Sequence, residues 1–142
     1  MPGPASVDHN SYPDSYIREI LRNVRSIAMV GASATWNRPS NFAMKYLLKK
    51  GFKVIPVNPG AVGQKICGET VFPDLSSLSG TVDMVDIFRR SEAVPDIVDE
   101  ALELFPQLQA IWMQIGVEHS VAAAKAEARG VDVVQNRCPK IE

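Results

Sequence analysis

What this sequence lacks narrows its chemistry before any motif is considered. It contains only two cysteines, Cys67 and Cys138, and two histidines, His9 and His119. One disulfide at most can form within the chain, and no group of side chains has the spacing of a metal site. No apolar run approaches the ~20 residues that span a bilayer, so no membrane helix is expected. An excess of one charge is missing too. The formal net charge is −1, against the basic face that broad nucleic-acid binding requires. The opening MPGPASVDHNSYPD has neither the basic start nor the apolar centre of a secretory signal. The expected compartment is therefore the cytoplasm, where thiols stay reduced. No Ser-His-Asp order and no convincing pair of carboxylates marks a catalytic centre.

What is present reads as one folded unit. The chain has 142 residues and is 46% hydrophobic, enough for a domain that buries roughly two thirds of its unfolded surface. Residues 1–13, rich in proline and small polar side chains, are expected to form a flexible arm. Residues 14–142 are expected to form a single domain. Tyr16, Ile17, Ile20, Leu21 and Val24 recur at helical spacing, with Asp14 or Ser15 as the expected cap. SIAMVG, from Ser26 to Gly31, is an apolar run too short for a buried helix, and so a strand covered on both faces.

The alternation then repeats. A helix with Phe42, Met44, Leu47 and Leu48 on its apolar face ends at Gly51, and FKVIPVNP is the second strand with its turn. VDMVDIFRR, QAIWMQIGV and VDVVQNRC supply the third to fifth strands, separated by the helical segments AVPDIVDEALELF and HSVAAAKAEARG. ICGETVFPDLSSL leaves room for a short extra strand or turn. Strands alternating with helices predict an α/β, Rossmann-like fold: a five-stranded, mainly parallel sheet with helices on both faces. Trp112 and Met113 are expected in its core, and Asp83 and Asp86 are expected to serve a turn or strand register.

In such a sheet ligands bind beyond the carboxyl ends of the strands, where strand order reverses. After the first strand, Gly31 allows a sharp turn, Ala32 and Ser33 allow a close approach, and Arg38 adds a charged contact before a helix start. A tight turn with a surface arginine would look the same in spacing alone. Aligning GxGxxG on Gly31 puts Ser33 and Trp36 where glycines belong. The second strand ends in Asn58-Pro59 rather than the acid that binds an NAD ribose. Both departures count against a dehydrogenase. The second exit offers Asn58, Pro59 and Lys65; the third, Phe88, Arg89 and Arg90; the fourth, Gln114 and Gly116.

Five segments in order carry a resemblance: Val30–Ser33 with Arg38–Ser40, Val54–Pro59, Val85–Arg90, Ile111–Val117 and Asn136–Glu142. On these the chain resembles the single-domain coenzyme A (CoA)-binding proteins, which are similar to the N-terminal CoA-binding domain of the succinyl-CoA synthetase α subunit. The resemblance implies a protein that binds CoA or acyl-CoA without an evident catalytic centre. Gly31, Ala32, Ser33 and Arg38 would hold the phosphates. Asn58, Pro59 and Lys65 would lie near the adenosine and 3′-phosphate end, Phe88 and Arg89 would border the nucleotide, and Gln114 and Gly116 would face pantetheine. An NAD(P)-binding oxidoreductase, or a CoA-ligase component acting with a partner subunit, stays as the alternative. His119 reads as structural at a helix start. Cys138, between Arg137 and Lys140, is a candidate for thiol exchange with CoA, with Cys67 as the weaker one. An exposed thiol and apolar Trp36 are compatible with a homodimer.

Overall fold

The computed structural model describes residues 14–35, 38–78 and 80–135. Helix α1 (Asp14–Asn23) leads into β1 (Ser26–Val30), then α2 (Pro39–Lys49) and β2 (Lys53–Val57). A short antiparallel hairpin follows, β3 (Lys65–Ile66) with β4 (Glu69–Thr70). The remaining elements are β5 (Met84–Ile87), α3 (Val94–Leu104), β6 (Ala110–Met113), α4 (Ser120–Ala128) and β7 (Asp132–Val134). The expected arm, residues 1–13, lies outside the described residues.

The main sheet has the order β2-β1-β5-β6-β7 and every pairing within it is parallel. Strand β1 is buried along its whole length, as its unbroken apolar run predicts. One face of the sheet packs Val98, Ala101 and Leu102 of α3 and Ala122, Ala123 and Ala126 of α4 against Val85, Ile87, Ile111 and Val133. The other face packs Ile17 and Ile20 of α1, Val24 just after that helix, and Ala43, Met44 and Leu47 of α2 against Ile27, Met29, Met84 and Trp112. The two layers of helices and the sheet between them match the expected α/β architecture. Among the described residues no helix is long and apolar enough to cross a membrane.

Two local features differ from expectation. Phe42 is exposed, because the inward stripe of α2 runs through Ser40, Ala43, Met44 and Leu47, and at 100° per residue Phe42 falls outside it. Helix α1 already contains Asp14 and Ser15, so neither is the residue that precedes its first turn.

Both sheet edges are covered by side chains or loops. Beside β2, the backbone of Phe72 donates to the Pro56 carbonyl and accepts from the Asn58 N–H. At β7, the Tyr16 hydroxyl donates to the Val133 carbonyl (2.9 Å) and accepts from the Val133 N–H (3.0 Å). One hydroxyl from α1 thus satisfies two edge groups that would otherwise invite another strand. Tyr16→Phe is expected to destabilise the fold by about 1–2 kcal/mol, because both groups lose their partner while the ring still packs. Urea unfolding measures this. A variant as stable as the parent would show that water replaces the hydroxyl at no cost.

Candidate functional site

Strand order reverses between β1 and β5: the chain goes from β1 outward to β2, then returns to the other side of β1. The loops leaving β1 and β5 therefore part in opposite directions and leave a crevice between them. A groove of about 660 Å³ lies there, in the size range of small-molecule sites.

Its base is a backbone corner. Gly31 has φ +89°, and a Cβ at that position would stand 2.5 Å from the Phe88 carbonyl oxygen. The Gly31 N–H donates to the Val57 carbonyl at 2.9 Å, and the Phe88 N–H donates to the Val30 carbonyl at 2.8 Å. The exits of β1, β2 and β5 are thereby tied together at one level. Asn58 closes the corner, its Nδ2 donating to the Ala32 carbonyl at 2.8 Å while its Oδ1 accepts from the Gly60 N–H.

One wall is the start of α2. Its first turn has Pro39, which carries no N–H, and no side chain caps it. The positive end of the helix dipole therefore faces the groove without a protein anion over it. Asn41, almost fully buried, steadies the loop by donating from Nδ2 to the Ser33 carbonyl at 2.9 Å. Around the rim stand three exposed arginines, Arg38 from the first loop and Arg89 and Arg90 after β5. No Asp or Glu is among the described residues that line the groove. Fixed positive charge from two loops and a helix end suits a polyanionic ligand, and arginine forks match phosphate oxygens.

The structure brings Gly31, Ser33, Arg38, Asn58, Phe88, Arg89, Gln114 and Gly116 to this groove. It does not bring Ala32, Pro59 or Lys65 to the lining. Ala32 is fully buried and packs into the α1/α2 side of the core, so only its backbone serves the loop. Pro59 opens a 3-10 turn on the surface, and Lys65 is exposed on β3. Sequence spacing ties Lys65 to the second exit, but the hairpin carries it away. Cys138 and Trp36 lie outside the described residues. Cys67 is exposed; burial pushes its thiol up, and Lys45 offsets this only in part, which disfavours thiolate and exchange. His119 caps α4, Nδ1 accepting from the Ala122 N–H at 3.2 Å, as its place at a helix start predicts.

Asp86 is the residue that spacing misplaces. Asp83 does set register, its Oδ2 accepting from the Arg25 and Ser26 N–H groups at 2.9 and 3.1 Å. Asp86, however, lies within β5, fully buried, in one row with Met29 and Trp112. Its Oδ1 accepts from Nε2 of Gln114, and its Oδ2 has no hydrogen-bond partner among the described residues. Burial pushes its carboxyl up to about 7, against a smaller lowering by Gln114. The available signal was the VDIF segment itself: an acid inside a central strand of a doubly covered sheet has no route to solvent. Arg90, Pro39, Ser40, Ile115 and Val117 also line the groove.

Comparison with known proteins places the chain in a family and matches its fold. Residues 25–142 match the family model of a CoA binding domain. Uncharacterized protein YneT of Bacillus subtilis (strain 168) is 32% identical over 125 residues, which cover 88% of this chain and 90% of that protein. A hypothetical protein from Pyrococcus horikoshii OT3 superposes with a TM-score of 0.85 at 30% identity, over 99% of this chain and 95% of that one. A structure from Thermus thermophilus gives 0.84 at 32% identity, over 92% and 96%. An acetyl-coenzyme A synthetase of Ca. Korarchaeum cryptofilum, 24% identical, shares the fold with a TM-score of 0.67 over 81% of this chain but 26% of its own length. With the family model spanning nearly everything after α1, and relatives at 30% identity or more along most of their length, the chain belongs to the CoA-binding domain family.

Proposed function

We propose that residues 14–142 act as a single binding domain whose groove at the β1/β5 switch point takes CoA or an acyl-CoA. The observation that carries this reading is the arginine rim, Arg38, Arg89 and Arg90, around an uncapped helix start at the switch point. A pyrophosphate is a fitting occupant of that place. Gly31, Ser33 and Arg38 are assigned to the phosphates, with Arg89 and Phe88 bordering the nucleotide. Asn58 marks the adenosine side, and Pro59 and Lys65 would be met only by a ligand that extends past the groove. Gln114 and Gly116 take the pantetheine side.

Isothermal titration with CoA, NAD and ATP tests the reading: binding of CoA in preference to both is expected. Tight binding of NAD with no response to CoA would overturn it. Arg38→Ala is expected to weaken CoA by roughly 10- to 100-fold, the worth of a charge-assisted contact of about 1.5–3 kcal/mol. The affinity for free pantetheine should stay unchanged. Equal losses for both ligands would remove Arg38 from the phosphate site.

A further inference from the structure

Asp86 is an expensive residue for the core to hold. A carboxyl with no exposure keeps one hydrogen bond, to Gln114, and leaves Oδ2 unmatched among the described residues. Neither neighbour in its row, Met29 or Trp112, carries a charge. Unmatched buried polar atoms cost stability, and a native chain that keeps one calls for an explanation. The raised carboxyl, at about 7, repeats that signal, since such shifts gather at functional sites.

The explanation lies in the partner. Gln114 is nearly buried, yet it lines the groove. Its backbone is already committed: the N–H donates to the Ile87 carbonyl at 3.2 Å and the carbonyl accepts from the Val117 N–H at 2.8 Å. The side-chain amide is the group of this residue that still has both a donor and an acceptor for a ligand. An amide has a donor end and an acceptor end, and either could face outward if its inner neighbour were neutral. An ionised carboxylate can only accept. It therefore holds the NH₂ inward and leaves Oε1 as the atom offered to the groove.

We propose that Asp86 is a positioning residue that fixes the Gln114 amide with its acceptor, Oε1, toward the ligand, so that this part of the groove selects a hydrogen-bond donor. On the CoA reading, on which this inference rests, that donor is an amide N–H of pantetheine. The nucleotide portion of the ligand does not use this contact.

The test is titration at pH 8 with two ligands, CoA and adenosine 3′-phosphate 5′-diphosphate, which is CoA without pantetheine. The parent protein is expected to prefer CoA. Asp86→Asn is expected to lower CoA affinity roughly tenfold, the worth of one such hydrogen bond, and to leave the truncated ligand within about twofold. Gln114→Leu, which leaves Asp86 in place, should show the same CoA-specific loss. The double variant Asp86→Asn/Gln114→Glu exchanges amide and carboxylate: the new amide donates and the new carboxylate again offers an acceptor. It should regain most of the preference for CoA. Loss of both ligands alike, no loss in either single variant, no rescue by the double variant, or a parent that binds the truncated ligand as tightly as CoA would each overturn the role of Asp86. Those outcomes leave the CoA reading standing. Failure of the parent to bind CoA at all overturns both.

Discussion

Asp86→Asn is expected to stabilise the protein above pH 7 by as much as roughly 4 kcal/mol while changing it little near pH 4. The folded carboxyl titrates at about 7 against an ordinary value of 3.8, mainly because burial penalises its charged form. An acid whose folded pKa is raised holds its proton in the folded state when the unfolded chain has released it. Between about 4 and 7 the folded protein therefore binds more protons, and stability falls as pH rises. Below that window no charge is buried and nothing is lost. Above it the whole penalty is present, about 1.36 kcal/mol for each pH step separating the folded and unfolded titrations. Asparagine keeps the shape and removes the titration, so its stability curve should lack this slope. Burial also raises the carboxyls of Glu100 and Asp132, but both are shared by parent and variant and cancel in the difference. Urea unfolding at pH 5 and pH 8 measures the effect. A difference between the two proteins that does not grow with pH would show that Asp86 reaches solvent or a cation in solution. The same unfolding curves check that the variant is folded under the conditions of the ligand experiment, so that a loss of CoA preference is read separately from a loss of structure.

Gly31→Ala should cost about 2–5 kcal/mol. A left-handed backbone costs an L residue roughly 1–2 kcal/mol, and forced overpacking adds typically 1–3 kcal/mol. Both apply at this corner, where φ is +89° and the added carbon would meet the Phe88 carbonyl oxygen at 2.5 Å and its carbon at 2.9 Å. These are backbone atoms on the neighbouring strand exit, so relief requires β1 and β5 to part at the floor of the groove. Gly116 is the internal comparison. It has φ +87° with nothing within 4 Å of an added Cβ, so Gly116→Ala should cost only the conformational share, about 1–2 kcal/mol. Equal losses at the two glycines, measured by urea unfolding, would mean that the approach of Phe88 to Gly31 relaxes freely.

Much of the fold was legible because periodicity reports how each segment is buried. SIAMV had to be a strand covered on both faces, and the alanine-rich segment after His119 had to be a helix. The first loop was readable as a phosphate corner for a similar local reason: a glycine, small residues, an arginine and a proline at a helix start are all neighbours in sequence. Lys65 shows where that logic stops. It sits only seven residues beyond Asn58, but the β3–β4 hairpin turns it from the groove. Ala32 belongs to the loop by its place in the chain and to the core by its side chain, which fills the space beneath the loop.

By itself the sequence determined the alternation of strands and helices, the sharp corner at Gly31, the arginines at the strand exits and the family to which the chain belongs. Tertiary structure decided which exits meet, because the order β2-β1-β5-β6-β7 follows from how helices share the two faces of the sheet. It also decided that Tyr16 closes an edge 117 residues away, and that Asp86 is sealed under Gln114 rather than serving a turn or strand register. Local patterning records a segment's preference for water or core; which polar atoms then meet inside that core depends on every other segment that packs there.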